Sequence, residues 1–247
     1  MVEEFTAKDH LEFGETHLQA LKRYVVIIAH KNKKGQECIG SGVSVCIGGK
    51  HLVATARHCV ERDPRLLPDK GGWLINDRFH VPRWPGIVDR RWHDTLDIAF
   101  VELESACDLE LQEGHLSSER ILRGSVYVIG HPIKQVHKFP ERQELHISRC
   151  CIGIKPLEQT ADVLKFDYEA EGVRQMSEIE WRTEPVPDAP GLSGGGIFGV
   201  ANPSTGGILS IQYKLFGIQY EWHEGERWIN AVPIKPWVDL VKEYYHL

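Results

Sequence analysis

The sequence predicts an all-β protein, with two small β-barrels of about six strands each, a polar connection between them and a closing C-terminal helix. Three observations predict it. Short β-branched and apolar runs of strand length recur along the chain, bounded by Gly, Pro, Asn and Asp. These runs fall into two groups on either side of the turn-rich stretch Ser105 to Arg123. Sustained helical spacing of apolar residues is found only from Pro236 to Tyr245.

Each element follows from local chemistry. From Met1 to about Arg23 the chain is polar, with a short helix expected at Thr16 to Lys22. Tyr24 to His30 is a β-branched strand, and Lys31 to Gln36 carries the turn residues Asn32 and Gly35. Ile39 to Ile47 returns as the second strand of a hairpin and stops at Gly48-Gly49. Leu52 to Thr55 is the next strand, and it delivers Ala56-Arg57-His58-Cys59 at its end. The Pro-, Trp- and Arg-rich stretch Glu61 to Asp94 holds strand fragments near Trp73 to Ile75 and Gly86 to Val88, after which Asp97 opens an apolar strand ending at Leu103. In the second group, strands are expected at Val126 to Ile129, Ile147 to Lys155, Val163 to Tyr168, Gly196 to Val200, Ile208 to Tyr220 with a break, and Trp228 to Val232. The final helix carries Pro236 at a tolerated first-turn position. The expected boundaries are an N-terminal extension over 1–23, a first barrel over 24–112, a linker over 113–124, a second barrel over 125–235 and the helix over 236–247.

Composition excludes several classes of partner. A chain of 247 residues with 42% hydrophobic and 26% charged residues can bury a substantial core. Its net charge of −6 provides no basic surface for nucleic acid or an anionic membrane, so neither partner is expected. Met1-Val2-Glu3-Glu4-Phe5 is an acidic start without a basic and apolar leader, and no window approaches 18 uninterrupted apolar residues. A soluble, cytoplasmic protein is expected, with its six cysteines reduced.

The stretch with the clearest chemistry is Gly191-Leu192-Ser193-Gly194-Gly195. Glycine gives up backbone entropy and buries no side chain, so this composition fits a place where backbone must approach another molecule. In acyl transfer that molecule is a carbonyl: a serine Oγ attacks it, and backbone amides bind the oxygen as it turns negative. Ser193 is the candidate nucleophile, with the amides of Gly191 and Ser193 as the oxyanion hole. A serine also needs a base, and the base needs a carboxylate to orient it. His58, just after a strand, is the candidate base, and Asp97, opening a strand, is the orienter in preference to Asp94. His131, His137, His146, Cys150 and Cys151 match no paired-ligand spacing, so neither a metal nor a cofactor is expected.

Together these segments resemble the trypsin-like (chymotrypsin-fold) serine proteases. The resemblance rests on Gly40-Ser41-Gly42, Thr55-Ala56-Arg57-His58-Cys59, Asp97-Ile98-Ala99, Val128-Ile129-Gly130-His131-Pro132, the Gly-x-Ser-Gly-Gly segment and Gly217-Ile218. It runs from about residue 24 to 245 in the family's order of histidine, aspartate, serine. It implies two packed six-stranded antiparallel barrels with the active-site cleft between them, His58 and Asp97 from the first and Ser193 from the second. It also implies a serine endopeptidase working through an acyl-enzyme on a protein or peptide substrate. In this cytoplasmic setting, limited processing of a partner protein is the expected task, and a regulatory protein partner is compatible with it. The rival reading is a catalytically silent peptide-binding or scaffold protein on the same barrels, and an esterase with the same triad is a third.

The chain departs from the digestive branch of that family in one informative place. Where those enzymes carry an aspartate that pairs with a newly cut amino terminus, this chain has Leu192, which cannot hold an ammonium group. Activation by amino-terminal cleavage is therefore not expected. The loop from Glu184 to Leu192 and the segment Tyr220-Glu221-Trp222 are expected to wall the specificity pocket, the latter offering its backbone to an extended substrate. Asp188, Glu221 and Glu226 are candidate partners for a basic substrate side chain. Cys46 and Cys59 fall where secreted relatives often bridge, but their short spacing here makes both expected thiols.

Overall fold

A computed structural model describes residues 20–31, 37–61, 74–75, 86–106, 109–119, 121, 126–131, 136–139, 144–147, 150–167, 174–176, 181–183, 191–200, 213–223 and 225–247. The first barrel begins with β1 (Val25–Lys31), β2 (Glu37–Ile47) and β3 (Lys50–Thr55). A short helix, α1 (Arg57–Glu61), follows, then β4 (Leu74–Ile75), β5 (Ile87–Trp92), β6 (Ala99–Leu103) and β7 (Leu111–Gln112). The sheet runs in the order β4-β1-β2-β3-β6-β5, with β7 lying parallel against β2. Gly48 and Gly49, at φ of 56° and 76°, make the tight β2–β3 turn, which needs left-handed backbone at both positions.

The second barrel is built from β8 (Val126–Gly130), β11 (Cys150–Gln159), β12 (Leu164–Asp167), β15 (Gly196–Val200), β16 (Tyr213–His223) and β17 (Trp228–Pro233). These close in the order β11-β12-β17-β16-β15-β8. Two hairpins stand apart from it, β9 (Val136–Phe139) with β10 (Glu144–Ile147) and β13 (Arg174–Met176) with β14 (Trp181–Thr183). The closing helix, α2, spans Ile234–Tyr245 and starts two residues earlier than the sequence predicts.

The all-β double-barrel architecture is therefore as the sequence predicts. Three details differ. Ile147 to Lys155 is not one strand: β10 ends at Ile147 and β11 starts at Cys150. The polar stretch Ser105 to Arg123 contains β7 and a 3₁₀ turn at Glu113–His115, and Leu116 bridges to Leu215 of the second barrel. The hairpins β9–β10 and β13–β14 lack continuous apolar runs, so the sequence shows no strand signal there. Of the expected N-terminal helix, residues 20–22 are helical and the rest lies outside the described residues. Among the described residues, no helix is long and apolar enough to cross a membrane.

Burial explains how the barrels are fixed against each other. Val26, Ile28, Val53 and Val101 fill the first barrel, and Val128, Ile152, Phe166, Ile197 and Phe216 fill the second. A third cluster joins them, in which Val43, Leu52 and Phe100 pack with Ile129, Phe198, Leu215 and Trp237 of the second barrel and α2. Trp237 is fully buried, and its Nε1 donates to the Ala99 carbonyl at 2.9 Å, so the last helix is pinned to the strand that follows Asp97. Tyr244 and Tyr245 extend that clasp by donating to Asp89 and Glu102 at 2.6 and 2.7 Å.

Candidate active site

Strand register brings the first two site residues together. In the β3–β6 pair, Thr55 lies opposite Ala99, so the chain leaving β3 and the chain entering β6 meet at one end of the sheet. His58 sits in α1 just past Thr55, and Asp97 sits two residues before Ala99. The His58 Nδ1 donates to Asp97 Oδ2 at 2.7 Å, and the His58 amide donates to Asp97 Oδ1 at 3.0 Å. An ionised carboxylate only accepts, so this contact fixes the proton on Nδ1 and leaves Nε2 as the acceptor nitrogen of a neutral ring.

The electrostatics of the pair follow from that geometry. The hydrogen bond to Asp97, and then one with Cys59, raise the His58 imidazole from 6.5 to about 10, against the opposing effect of burial. Burial pushes Asp97 upward, but the ring and amide of His58 outweigh it and hold the carboxyl below its ordinary value. Arg57 steadies both partners. Its guanidinium grips Glu61 with two bonds of 2.7 Å and donates to the carbonyls of His93 and Asp94 at 3.1 and 2.7 Å. This ties α1 to the loop that presents Asp97. Asp94 itself is exposed, and its carbonyl serves that loop rather than His58.

Ser193 arrives from the second barrel on a turn just before β15. Leu192 is fully buried in the core of that barrel, with Val128, Ile152, Ile197 and Phe216, and anchors the turn there by an apolar side chain. Gly194 takes φ of 87°, and a Cβ there would sit 1.9 Å from the Ser41 carbonyl oxygen. Only glycine lets the Ser193 turn approach β2 this closely. The amides of Gly194 and Gly195 donate to the carbonyls of Gln219 and Leu192, at 2.7 and 2.8 Å. Those of Gly191 and Ser193 find no acceptor among the described residues.

Ser41 is the joint between the barrels, a part that sequence reasoning missed although Gly40-Ser41-Gly42 marks the place. Its amide donates to the Ser193 carbonyl at 2.7 Å, and its hydroxyl donates to the Gly191 carbonyl at 2.8 Å. The same hydroxyl accepts from the His131 amide at 2.8 Å, and Thr55 Oγ1 donates to the Ser41 carbonyl at 2.7 Å. Ser41→Ala would leave a buried carbonyl and a buried amide without this partner, costing about 1–3 kcal/mol. Because the turn that carries the Gly191 and Ser193 amides would shift, kcat is expected to fall roughly 10–100-fold, with KM changing less, if these amides serve the expected role. Thermal melts and steady-state kinetics on the variant check both.

The Cys59 thiol donates to the Ser193 carbonyl at 3.4 Å, which places the serine turn against the residue next to His58. The Ser193 hydroxyl lies 3.5 Å from the Tyr220 carbonyl, too far for a firm bond. No hydrogen bond joins the Ser193 hydroxyl to His58 in this structure. Cys46, Cys59, Cys150 and Cys151 all carry free thiols.

The segment Tyr220-Glu221-Trp222 lies where β16 runs past the end of β15. Glu221, Trp222 and His223 pair with β17 on one side, and no described strand pairs on the other. The acids expected to face a basic substrate side chain already have partners. Glu221 accepts from Asn230 at 3.0 Å and contacts His223 at 2.8 Å, while Glu226 accepts from Trp228 Nε1 at 2.5 Å. Asp188 lies outside the described residues.

No family model matches the chain, and no curated protein matches it in sequence. Solved structures match it in shape. The chain is similar to a serine endoprotease from Yersinia pestis, over 93% of its own length and 65% of that protein's, with 15% identity and a TM-score of 0.56. It thus spans just under two thirds of the Yersinia chain. It is also similar to the active form of the Rv3671c protease from M. tuberculosis, over 87% of its length and 78% of that chain, with 14% identity and a TM-score of 0.47. From the closed six-strand barrel, the second sheet packed on it, the C-terminal helix and the Yersinia match, the fold of this chain is the trypsin-like double barrel.

Proposed function

We propose that this protein is an intracellular serine endopeptidase that cuts peptide bonds through an acyl-enzyme, in limited processing of a partner protein. The observation that carries the reading is the doubly hydrogen-bonded His58–Asp97 pair beside the Ser193 turn, joined to it through Cys59 and Ser41. In the proposed cycle, an extended substrate segment lies along β16 at Tyr220 to Trp222, where that strand runs past the end of β15. His58 Nε2 takes the Ser193 hydroxyl proton as Oγ attacks the carbonyl carbon. The oxygen of the tetrahedral intermediate becomes negative, and the Gly191 and Ser193 amides bind it in this reading. His58 then gives the proton to the leaving amine. Water repeats the sequence in reverse on the ester and frees Ser193, with Asp97 ionised throughout.

Supporting the choice of compartment, the described cysteines are unbridged, which suits reducing conditions. Supporting competence without amino-terminal cleavage, Leu192 anchors the turn by burial alone. The direct test is incubation of the intact chain with an unfolded protein and with an ester substrate, reading new amino termini by mass spectrometry. Internal peptide cuts are expected. Ester hydrolysis alone would mean an esterase, and no turnover of either would mean a binding module.

A further inference from the structure

The outer face of the first barrel gathers a second set of chemistry-bearing side chains, away from the cleft. Cys46 on β2 and His51 on β3 are direct cross-strand partners. Their neighbours Val45, Ile47 and Leu52 are buried in the core, so strand alternation turns Cys46 and His51 to the opposite face. Parallel pairing of β7 sets Gln112 opposite Cys46 and brings Glu110 alongside. His51 Nδ1 lies 2.9 and 3.0 Å from the two Glu110 oxygens, and the Glu110 side chain is only 8% exposed. The ligand atoms of Cys46, His51 and Glu110 all fall within 4.8 Å of one another.

We propose that these three side chains bind a divalent transition-metal ion, zinc being the best chemical match, as a clip that fastens β7 to the β2–β3 hairpin. A thiolate, an imidazole and a carboxylate form a mixed set that suits zinc or cobalt, whereas calcium and magnesium prefer oxygen alone. Thiolate and carboxylate together neutralise the ion, and the imidazole binds uncharged. On binding, the Cys46 S–H bond breaks, the metal–sulfur bond forms and the proton leaves to solvent, with no change of oxidation state. Tetrahedral bonds of about 2.0–2.3 Å set ligand atoms roughly 3.3–3.8 Å apart. The His51–Glu110 contact therefore opens slightly while the Cys46 sulfur swings inward, both within side-chain torsion. His51 is 35% exposed, which leaves the fourth position to water.

The clip has structural sense because β7 is only two residues long and leads into the segment that bridges to Leu215 of the second barrel. Its test does not depend on peptidase activity. Titrating the full chain with Co²⁺ is expected to give a thiolate-to-cobalt charge-transfer band that saturates at one equivalent. The band should persist in Cys150→Ala and vanish in Cys46→Ser. In the unaltered chain, Zn²⁺ should slow alkylation of Cys46 by iodoacetamide about tenfold or more, read by peptide mass spectrometry, since a metal-bound thiolate is shielded. No band, a band that survives in Cys46→Ser, or Cys46 alkylation indifferent to Zn²⁺ would overturn the proposal. If Cys46→Ser fails to fold, the alkylation rates in the unaltered chain decide it.

Discussion

Ser193→Ala is expected to lower kcat/KM for peptide hydrolysis by about four or more orders of magnitude. The hydroxyl is the proposed nucleophile, and the neighbouring Cys59 thiol donates to the Ser193 carbonyl at 3.4 Å. The same geometry predicts almost no effect on folding. Among the described residues, Oγ makes only a 3.5 Å contact with the Tyr220 carbonyl, so its removal should change stability by less than about 0.5 kcal/mol. The turn is held instead by main-chain bonds from Ser41 and Gly194 and by the buried Leu192. Matched melting curves with lost turnover would locate the effect in the chemistry. A variant that keeps its activity would remove Ser193 from the mechanism.

The second large effect is expected from Asp97→Asn. The carboxylate accepts from both the ring and the amide of His58, which fixes the ring's orientation and tautomer. An amide in that place can present N–H to Nδ1, which moves the ring proton to Nε2, where it blocks acceptance from Ser193. A loss of roughly 10⁴ in kcat is expected. The pH profile gives a second readout with a definite sign. A general base works only when neutral, and His58 is raised to about 10 chiefly by its bond to Asp97. Activity of the unaltered chain should therefore climb from neutral into alkaline pH as the imidazole loses its proton. In Asp97→Asn the residual activity should climb at lower pH, back toward the ordinary histidine value of about 6.5. Profiles of kcat/KM against pH for both proteins check this, and an ascending limb that does not move would contradict the assigned link.

Much of this was legible in the chain because the signals are local. The β-branched run from Val25, the paired glycines at 48 and 49 and the apolar residues after Asp97 each dictate their own strand or turn. His58, Asp97 and Ser193 stand out because each sits at an element boundary in a distinctive setting, and strand register then brings the first two together. What was not legible depends on neighbours remote in the sequence. Ser41 gained its role only when β2 met the Ser193 turn, and Glu221 lost its freedom only when β17 brought Asn230 beside it. Cys46, His51 and Glu110 follow no ligand spacing, because cross-strand pairing rather than sequence interval assembles them.

The central claim is that the His58–Asp97 pair activates one serine out of all those in the chain. Reaction of the intact protein with a fluorophosphonate probe, followed by peptide mapping, measures that activation directly, since only an activated serine reacts quickly. The account predicts one phosphonylated site at Ser193, with labelling abolished in His58→Ala. Labelling elsewhere, no labelling, or equal labelling of the His58→Ala protein would contradict it.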